Sequence, residues 1–281
     1  MNVENGHRST SQLNLKGKAI GLVGRYLGSE QLQSLLNKIE MIVHAGMNIG
    51  GATMSCEQNG ELNVMKFVRK HYSHEEKLVL FDVGAHEGEY SKLLADVFGE
   101  NTSIFCFEPS LDLFRVLEKN IGGNGIEPNN LGLSDVNEKI HLFSANDRIP
   151  TAVIEAFDVV GQEMVSEEVI HCVRLDSFCS DKNIKRINFL KVDVEGYELK
   201  VLRGAGDLLA ENIDFVQFEF GQHSVASRTF FYDFYCLLNP SFRIYRVLRS
   251  GLVELKKYNT RLEQFSSATN YLAVSRSRFM S

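Results

Sequence analysis

The sequence predicts a doubly wound α/β fold: a mostly parallel seven-stranded sheet with an antiparallel C-terminal strand, plus N-terminal helices. Three observations lead there. Short apolar runs end on an acidic residue at Leu78–Asp82, Ile104–Glu108 and Phe189–Asp193. A turn and an amphipathic helical period follow each run. The runs are also nearly continuous in apolar character, as strands covered on both faces must be.

Residues 1–28 read as a tail. Met1–Gln12 is polar and expected to be disordered. Lys16–Leu27 mixes Lys16, Lys18 and Arg25 with Ile20, Leu22, Val23 and Tyr26. It fits a short helix packed on the core or on a second subunit better than a membrane-surface helix. Residues 29–76 are expected to form a helical cover. Ser29 can cap a helix running to His44, with Leu32, Leu35, Leu36 and Ile39 along one stripe. Gly46 and Gly50-Gly51 end it, and Glu61–Tyr72 makes another helix. These helices are the candidates for a homo-oligomer contact. Residues 77–281 read as one α/β domain.

That domain opens with its organising unit. After Asp82, Gly84 and Gly88 frame a turn, and Tyr90, Leu93, Leu94, Val97 and Phe98 then fall on one helix face. A strand, a glycine turn and a helix offer backbone N–H groups and a helix N-terminus to a ligand, with a carboxylate beside them. The turn reads G-A-H-E-G, which is not the G-x-G-x-x-G of a dinucleotide fold, and no P-loop pattern occurs. A carboxylate at the strand tip repels pyrophosphate and attracts an ammonium or sulfonium group. Glu108 lies 26 positions after Asp82 (108 − 82) at the end of the next strand. An acidic residue at comparable spacing binds ribose hydroxyls in doubly wound folds. Pro109 suits the first turn of the helix that carries Leu113, Phe114 and Leu117.

The segment Asn129–Asp135 falls at the end of the third strand, where a loop would pass a purine base. The backbone of Leu131–Leu133 and the Ser134 hydroxyl could read that base, or Ser134 could cap a local turn. Lys139–Ser144 and Glu168–Leu175 alternate like half-exposed strands, with a helical patch near Ile154–Val160 between them. They predict two antiparallel strands inserted before the fourth core strand, at the carboxyl edge where ligands bind. Asn188–Glu198, NFLKVDVEGYE, is the second informative motif. Its strand is apolar apart from Lys191, Asp193 sits at its tip, and a helix begins at Glu195-Gly196. Asp214–Phe220 is the fifth strand, in which Gln217 and Glu219 break the apolar run expected of a central position. Val225–Leu238 is expected to be a helix whose aromatic stripe belongs to the core. Phe242–Leu248 and Leu252–Tyr258 form a hairpin turning at Ser250-Gly251, and Asn270–Val274 is the last strand.

Composition narrows the classes. At 281 residues, with 44% hydrophobic and 23% charged residues, the chain suits one large globular domain with an appendage. A net charge of −6 argues against a nucleic-acid partner. Five scattered cysteines without C-x-x-C suggest reduced thiols in a cytoplasmic setting and no zinc site. No apolar run reaches membrane-spanning length, so no stable membrane insertion is expected.

Taken together, FDVGAHEGEYS (81–91), FEPS (107–110), LGLSD (131–135), RLDSF (174–178), LKVDVEGYE (190–198) and VLRGA (201–205) resemble the FkbM family of S-adenosylmethionine-dependent methyltransferases. The resemblance covers roughly residues 60 to 275, and DVEGYE is its most specific part. It implies a class I methyltransferase fold, S-adenosylmethionine as cofactor, and a small-molecule or glycan hydroxyl acceptor, often a sugar, polysaccharide or natural product. Carried over by position, Asp82, Gly84, Ala85 and Gly88 would bind the methionine part of the cofactor, with His86 in the same loop and Tyr90 at the helix start. His86 stands where the family commonly has Asn or another polar residue. Glu108, followed by Pro109, would hold the ribose, Ser134 would lie near the adenine, and Asp193 would sit beside the sulfonium and the acceptor.

A sugar hydroxyl needs a base at or after the transition state. Asp193, Glu195 and Glu219 are the candidates, followed by His223. The same three carboxylates offer oxygen ligands for magnesium, but no sequence feature requires a metal, and metal independence is the expectation. Three other readings stay open. A nicotinamide oxidoreductase would need the missing glycine fingerprint. A non-catalytic cofactor-binding or scaffolding protein would not depend on Asp193 or Glu195. Methylation of nitrogen stays open because no acceptor-specific motif is visible.

Overall fold

The computed structural model describes residues 10–74, 76–121, 125–144, 152–153 and 166–279. The chain divides into two compact units, 1–47 and 48–281. The first holds two helices, Thr10–Leu27 and Glu30–Gly46. A helix thus already begins at Thr10, within the stretch expected to be disordered. Ser29 sits at the N-cap of the second helix with extended backbone, yet its side chain makes no capping bond.

The second unit is built on an eight-stranded sheet. Its strands, numbered with those of a smaller sheet, are β1 (Leu78–Val83), β2 (Thr102–Phe107), β3 (Ile126–Asn129), β4 (Gly132–Ser134), β5 (Glu138–Ser144), β6 (Ala152–Val153), β7 (Ser166–Arg174), β8 (Ile187–Val192), β9 (Ile213–Phe220), β10 (Phe242–Leu248), β11 (Gly251–Glu254) and β12 (Thr269–Ser275). The large sheet runs β11-β10-β12-β9-β8-β1-β2-β3. The five strands β3, β2, β1, β8 and β9 are parallel to one another; β12 enters antiparallel between β9 and β10. This is the class I methyltransferase arrangement. The predicted hairpin adds β11 as an eighth strand at the edge, where seven strands were expected.

The chain starts at β1 in the middle of the sheet, moves out to β3, then returns to β8 on the other side of β1. Strand order therefore reverses between β1 and β8, the point beyond whose carboxyl ends doubly wound folds form their ligand crevice. The inserted segment forms a separate sheet, β4-β7-β5-β6, in which β5 and β7 pair antiparallel as the alternation predicted. The helical patch expected near Ile154–Val160 lies outside the described residues.

Central strands are buried on both faces, which explains their unbroken apolar runs. Phe81, Leu190 and Phe218 point into one core with Phe231 and Phe234. Leu80, Phe189 and Phe215 point into the other with Leu94. The helix Glu61–Arg69 sends Val64, Met65 and Val68 into this second core. Of the aromatic stripe expected in the core, Phe231 and Phe234 are fully buried, with Phe234 stacked on Phe218 at 4.9 Å, Tyr235 is half-buried, and Phe230 is exposed. The helix that carries the stripe is broken, however. His223–Ala226 and Phe231–Leu238 are separate because Arg228 adopts a left-handed φ of +53°.

At the opposite end of β9, Asp214 is fully buried. Tyr72 donates to it at 2.7 Å and Asn188 at 3.0 Å, while the Arg186 guanidinium pairs with it at 2.7 Å. Removing one partner of such a cluster leaves the others desolvated and unmatched. Asp214→Ala is expected to cost about 3 kcal/mol in urea unfolding. Asp112→Ala, which removes an exposed partner of Arg115, is expected to stay within about 0.5 kcal/mol.

Candidate functional site

The crevice is built from the loops that follow β1, β2, β8 and β9. Gly84 leaves β1 with φ +81°, and a Cβ there would run into the carbonyl oxygen of Asp193. Only glycine lets the tips of β1 and β8 approach this closely. Gly88, at φ +88°, caps the helix Glu89–Phe98 through its backbone alone. The turn's N–H groups are less available than the sequence suggested. Gly84 and Ala85 both donate to the carbonyl of Phe107, at 3.0 and 2.9 Å.

Asp82 does not present its carboxylate to the crevice. It is fully buried, accepts the Ser91 hydroxyl at 2.6 Å, and pairs with the Lys191 ammonium at 3.3 Å. Lys191, the one charge in the β8 run, is itself only 4% exposed. Its ammonium also donates to the Gly84 carbonyl at 3.2 Å, pairs with Asp193 at 3.4 Å and lies 5.0 Å from the centre of the Tyr90 ring. Burial works against this ammonium, but Asp193, Asp82 and Glu61 outweigh it and hold Lys191 above the ordinary lysine value. Burial likewise pushes the Asp82 carboxyl up, and Lys191 and Ser91 pull it back.

Glu108 stands at the end of β2 as expected, and it is buried. Its two oxygens accept the backbone N–H groups of His86 and Ser110, each at 3.0 Å. Burial pushes its carboxyl up to about 7 despite these bonds. The ring of His86 is exposed, so this residue reaches the site through its backbone, at a left-handed φ of +50°. Pro109 is half-buried, and Asn130 clamps its carbonyl and that of Glu108, at 2.9 and 3.0 Å. Ser134 is fully buried, and its hydroxyl is spent on Asp135 and Glu138. In that loop Asn129–Leu131 and Asp135 are half-buried and keep exposed surface, whereas Gly132 and Leu133 are buried like Ser134.

On the β8 side, Asp193 keeps 34% of its side chain exposed. Glu195 follows at a left-handed φ of +54° and meets His223 at 2.7 Å. A Cβ on Gly196 would lie 2.7 Å from the His223 carbonyl, so the β8 and β9 loops also touch through a glycine. Glu198, overlooked in the sequence, holds this loop: one oxygen accepts the N–H groups of Val194 and Gly196, at 2.9 and 3.1 Å. Burial pulls the His223 imidazole down, but Glu195 outweighs it and the net shift is upward. Burial, then Asp193 and Glu195, push the Glu219 carboxyl well above its ordinary range.

Gln217 has a different explanation. It donates to Glu61 at 2.7 Å and accepts the Tyr90 hydroxyl at 3.0 Å. Asn59 and Asn270 also donate to Glu61. The polar residue in a central strand thus belongs to a buried network that ties the helix Glu61–Arg69 to the sheet. Glu61 was invisible in the sequence, although the unmatched Gln217 was a sign that a partner existed. An open groove of about 720 Å³, lined by Asn63, Lys66, Phe67 and Leu252 among others, shares no lining residue with the crevice.

A family description, the methyltransferase FkbM domain, matches residues 82–241. The hexuronic acid methyltransferase AglP of Haloferax volcanii is 30% identical over 166 residues, 56% of this chain and 61% of that protein. Methyltransferase 1 of Beauveria bassiana is 27% identical over 158 residues, 50% of this chain and 63% of that protein. The chain thus spans about three fifths of the length of these curated relatives. Among solved structures, methyltransferase FkbM from Methylobacillus flagellatus overlaps with a TM-score of 0.43 at 18% identity, covering 72% of this chain and 44% of that one. The plantazolicin methyltransferase BpumL, in complex with SAH, overlaps at 0.42 with 8% identity, covering 95% of this chain and 100% of that one.

Lys191→Met would leave Asp82 buried without its counter-charge. It is expected to cost about 3 kcal/mol, and the double variant with Asp82→Asn is expected to cost less than the two single losses summed. Urea unfolding of the four proteins reads this coupling directly.

Proposed function

The chain belongs to the FkbM methyltransferase family, and from that premise we propose that it methylates a hydroxyl oxygen of a sugar using S-adenosylmethionine. The observation that carries the reading is the convergence of Glu108, Gly84, Asp193, Glu195, Glu219 and His223 around the reversal of strand order. AglP, to which the chain is similar, is named for a hexuronic acid, and this supports a sugar acceptor.

The residues fit the cofactor. The glycine at the β1 tip keeps the cradle free of a side chain. A carboxylate has about four lone-pair positions, so Glu108 can hold two backbone N–H groups and still accept ribose hydroxyls. The carboxylates of Asp193, Glu195 and Glu219 suit a cationic sulfur. Bound there, S-adenosylmethionine supplies a methyl carbon that an acceptor oxygen can displace from a positively charged sulfur.

The protein's own work is alignment and proton management. The two glycine contacts between loops fix the β1, β8 and β9 tips relative to one another, so donor and acceptor meet in a set geometry. A sugar hydroxyl must lose its proton as it is methylated, and the Glu195, Glu219 and His223 group is placed to take it up. Asp82 acts indirectly: it anchors Lys191, which in turn orients Asp193.

Isothermal titration with S-adenosylmethionine, S-adenosylhomocysteine and NADH tests the reading. Saturable binding of the two S-adenosyl compounds alone is expected, and NADH binding in their place would sink it. The ionised form of Glu108 is the one that accepts ribose hydroxyls. Because its carboxyl sits near 7 in the free protein, binding must expel a proton below that pH. Affinity for S-adenosylhomocysteine is therefore expected to fall by up to about tenfold per pH unit below 7. Glu108→Gln is expected to bind more weakly and to lose that part of the pH dependence. A wild-type profile identical to that of Glu108→Gln would contradict the ribose assignment.

A further inference from the structure

Strand β9, the loop after β8 and the short helix His223–Ala226 bring one ligand atom each from Glu219, Glu195 and His223 to within 4.8 Å of one another. We propose that these three side chains bind a divalent cation, which holds and acidifies the acceptor hydroxyl. The role of the cation rests on the methyl-transfer reading above; the binding site does not.

Charge is the first argument. Asp193, Glu195 and Glu198 all lie close enough to Glu219 to act on its carboxylate, and an oxygen of Glu195 comes within 4.8 Å of one of Glu219. Among the described residues no hydrogen-bond donor or ion-pair partner reaches the Glu219 carboxylate. Lys191 is already committed to Asp82, Asp193 and the Gly84 carbonyl. That leaves His223, which is paired with Glu195. A half-buried carboxylate crowded by others and without a donor or counter-ion is unfavourable, and one imidazole cannot serve two of them. A dication among the three resolves the mismatch.

Donor chemistry is the second argument. Two carboxylate oxygens and one imidazole nitrogen form a mixed set that suits manganese or zinc better than magnesium or calcium. Tetrahedral ligand atoms about 2.1 Å from an ion stand roughly 3.4 Å apart, so the widest of these separations, at most 4.8 Å, has to close by about 1.4 Å or less. Three protein ligands leave positions open for a substrate oxygen, as catalytic metal sites do. The donor set also differs from the one the sequence offered. Asp193 is drawn to Lys191 and drops out, while His223 takes its place. With the other three side chains on the cation, Asp193, still paired with Lys191, is the carboxylate left to receive the proton that a metal-bound hydroxyl gives up.

The test is a titration of EDTA-treated, full-length protein with MnCl₂, followed by electron paramagnetic resonance, and with ZnCl₂, followed by calorimetry. One saturable site per chain is expected, weakened at least about tenfold in each of Glu195→Gln, Glu219→Gln and His223→Ala and unchanged in Asp112→Asn. No saturable site, or a site indifferent to the three substitutions, would overturn the proposal. Circular dichroism and urea unfolding of the same samples check that each variant is folded. S-adenosylhomocysteine titration of the unsubstituted protein separates the two ideas. If S-adenosylhomocysteine binds but the metal does not, the cation site fails and the methyl-transfer reading stands. If the metal binds but S-adenosylhomocysteine does not, the site stands and its role in methyl transfer fails.

Discussion

The ammonium of Lys191 sits at the junction on which the rest of the crevice depends. It enters from β8, the strand beside the point where sheet order reverses, and meets Asp82 of β1, the Gly84 carbonyl and Asp193 at once. Each contact comes from a different part of the strand tips, so one buried cation fixes the relative positions of all of them. The arrangement is stable only as a set. A lysine at this depth needs its carboxylates, and Asp82 needs the lysine. This explains why a charge interrupts an otherwise apolar strand and why a glycine must follow β1.

Around that junction the protein accumulates negative charge. Glu61, Asp82, Asp193, Glu195, Glu198 and Glu219 approach one region, against the cations Lys191 and His223. The structure answers part of the imbalance internally: Glu61 and Glu198 are surrounded by amide donors, and Asp82 is paired. Asp193, Glu195 and Glu219 are the remainder, and they lie where a cationic methyl donor is proposed to bind. A surplus of negative charge lets such a site favour a sulfonium cofactor over its neutral by-product.

What could be read from the sequence was local. The strands, the Gly84 turn, Glu108 and Asp193 followed from periodicity and from an acidic residue closing each apolar run, signals carried within ten or so residues. The inserted antiparallel pair was legible for the same reason. What escaped depends on partners far along the chain. Glu61 meets Gln217 across 156 positions, and Tyr90 meets Gln217 across 127. Gln217 and Lys191 could be seen only as exceptions to a pattern. Asp82 was expected to face ligand because of its place in a motif, and Ser134 either to read a base or to cap a local turn; neighbouring side chains absorb both. The break at Arg228 left no composition signal, since a left-handed residue need not be glycine.

The most direct test of this account is the structure of the chain with S-adenosylhomocysteine bound. The ribose hydroxyls are expected on Glu108, the methionine portion beside the Gly84 turn, and the sulfur facing Asp193 and the Glu195, Glu219 and His223 group. A ligand seated elsewhere, such as the groove lined by Asn63 and Lys66, or one that leaves Glu108 untouched, would contradict it.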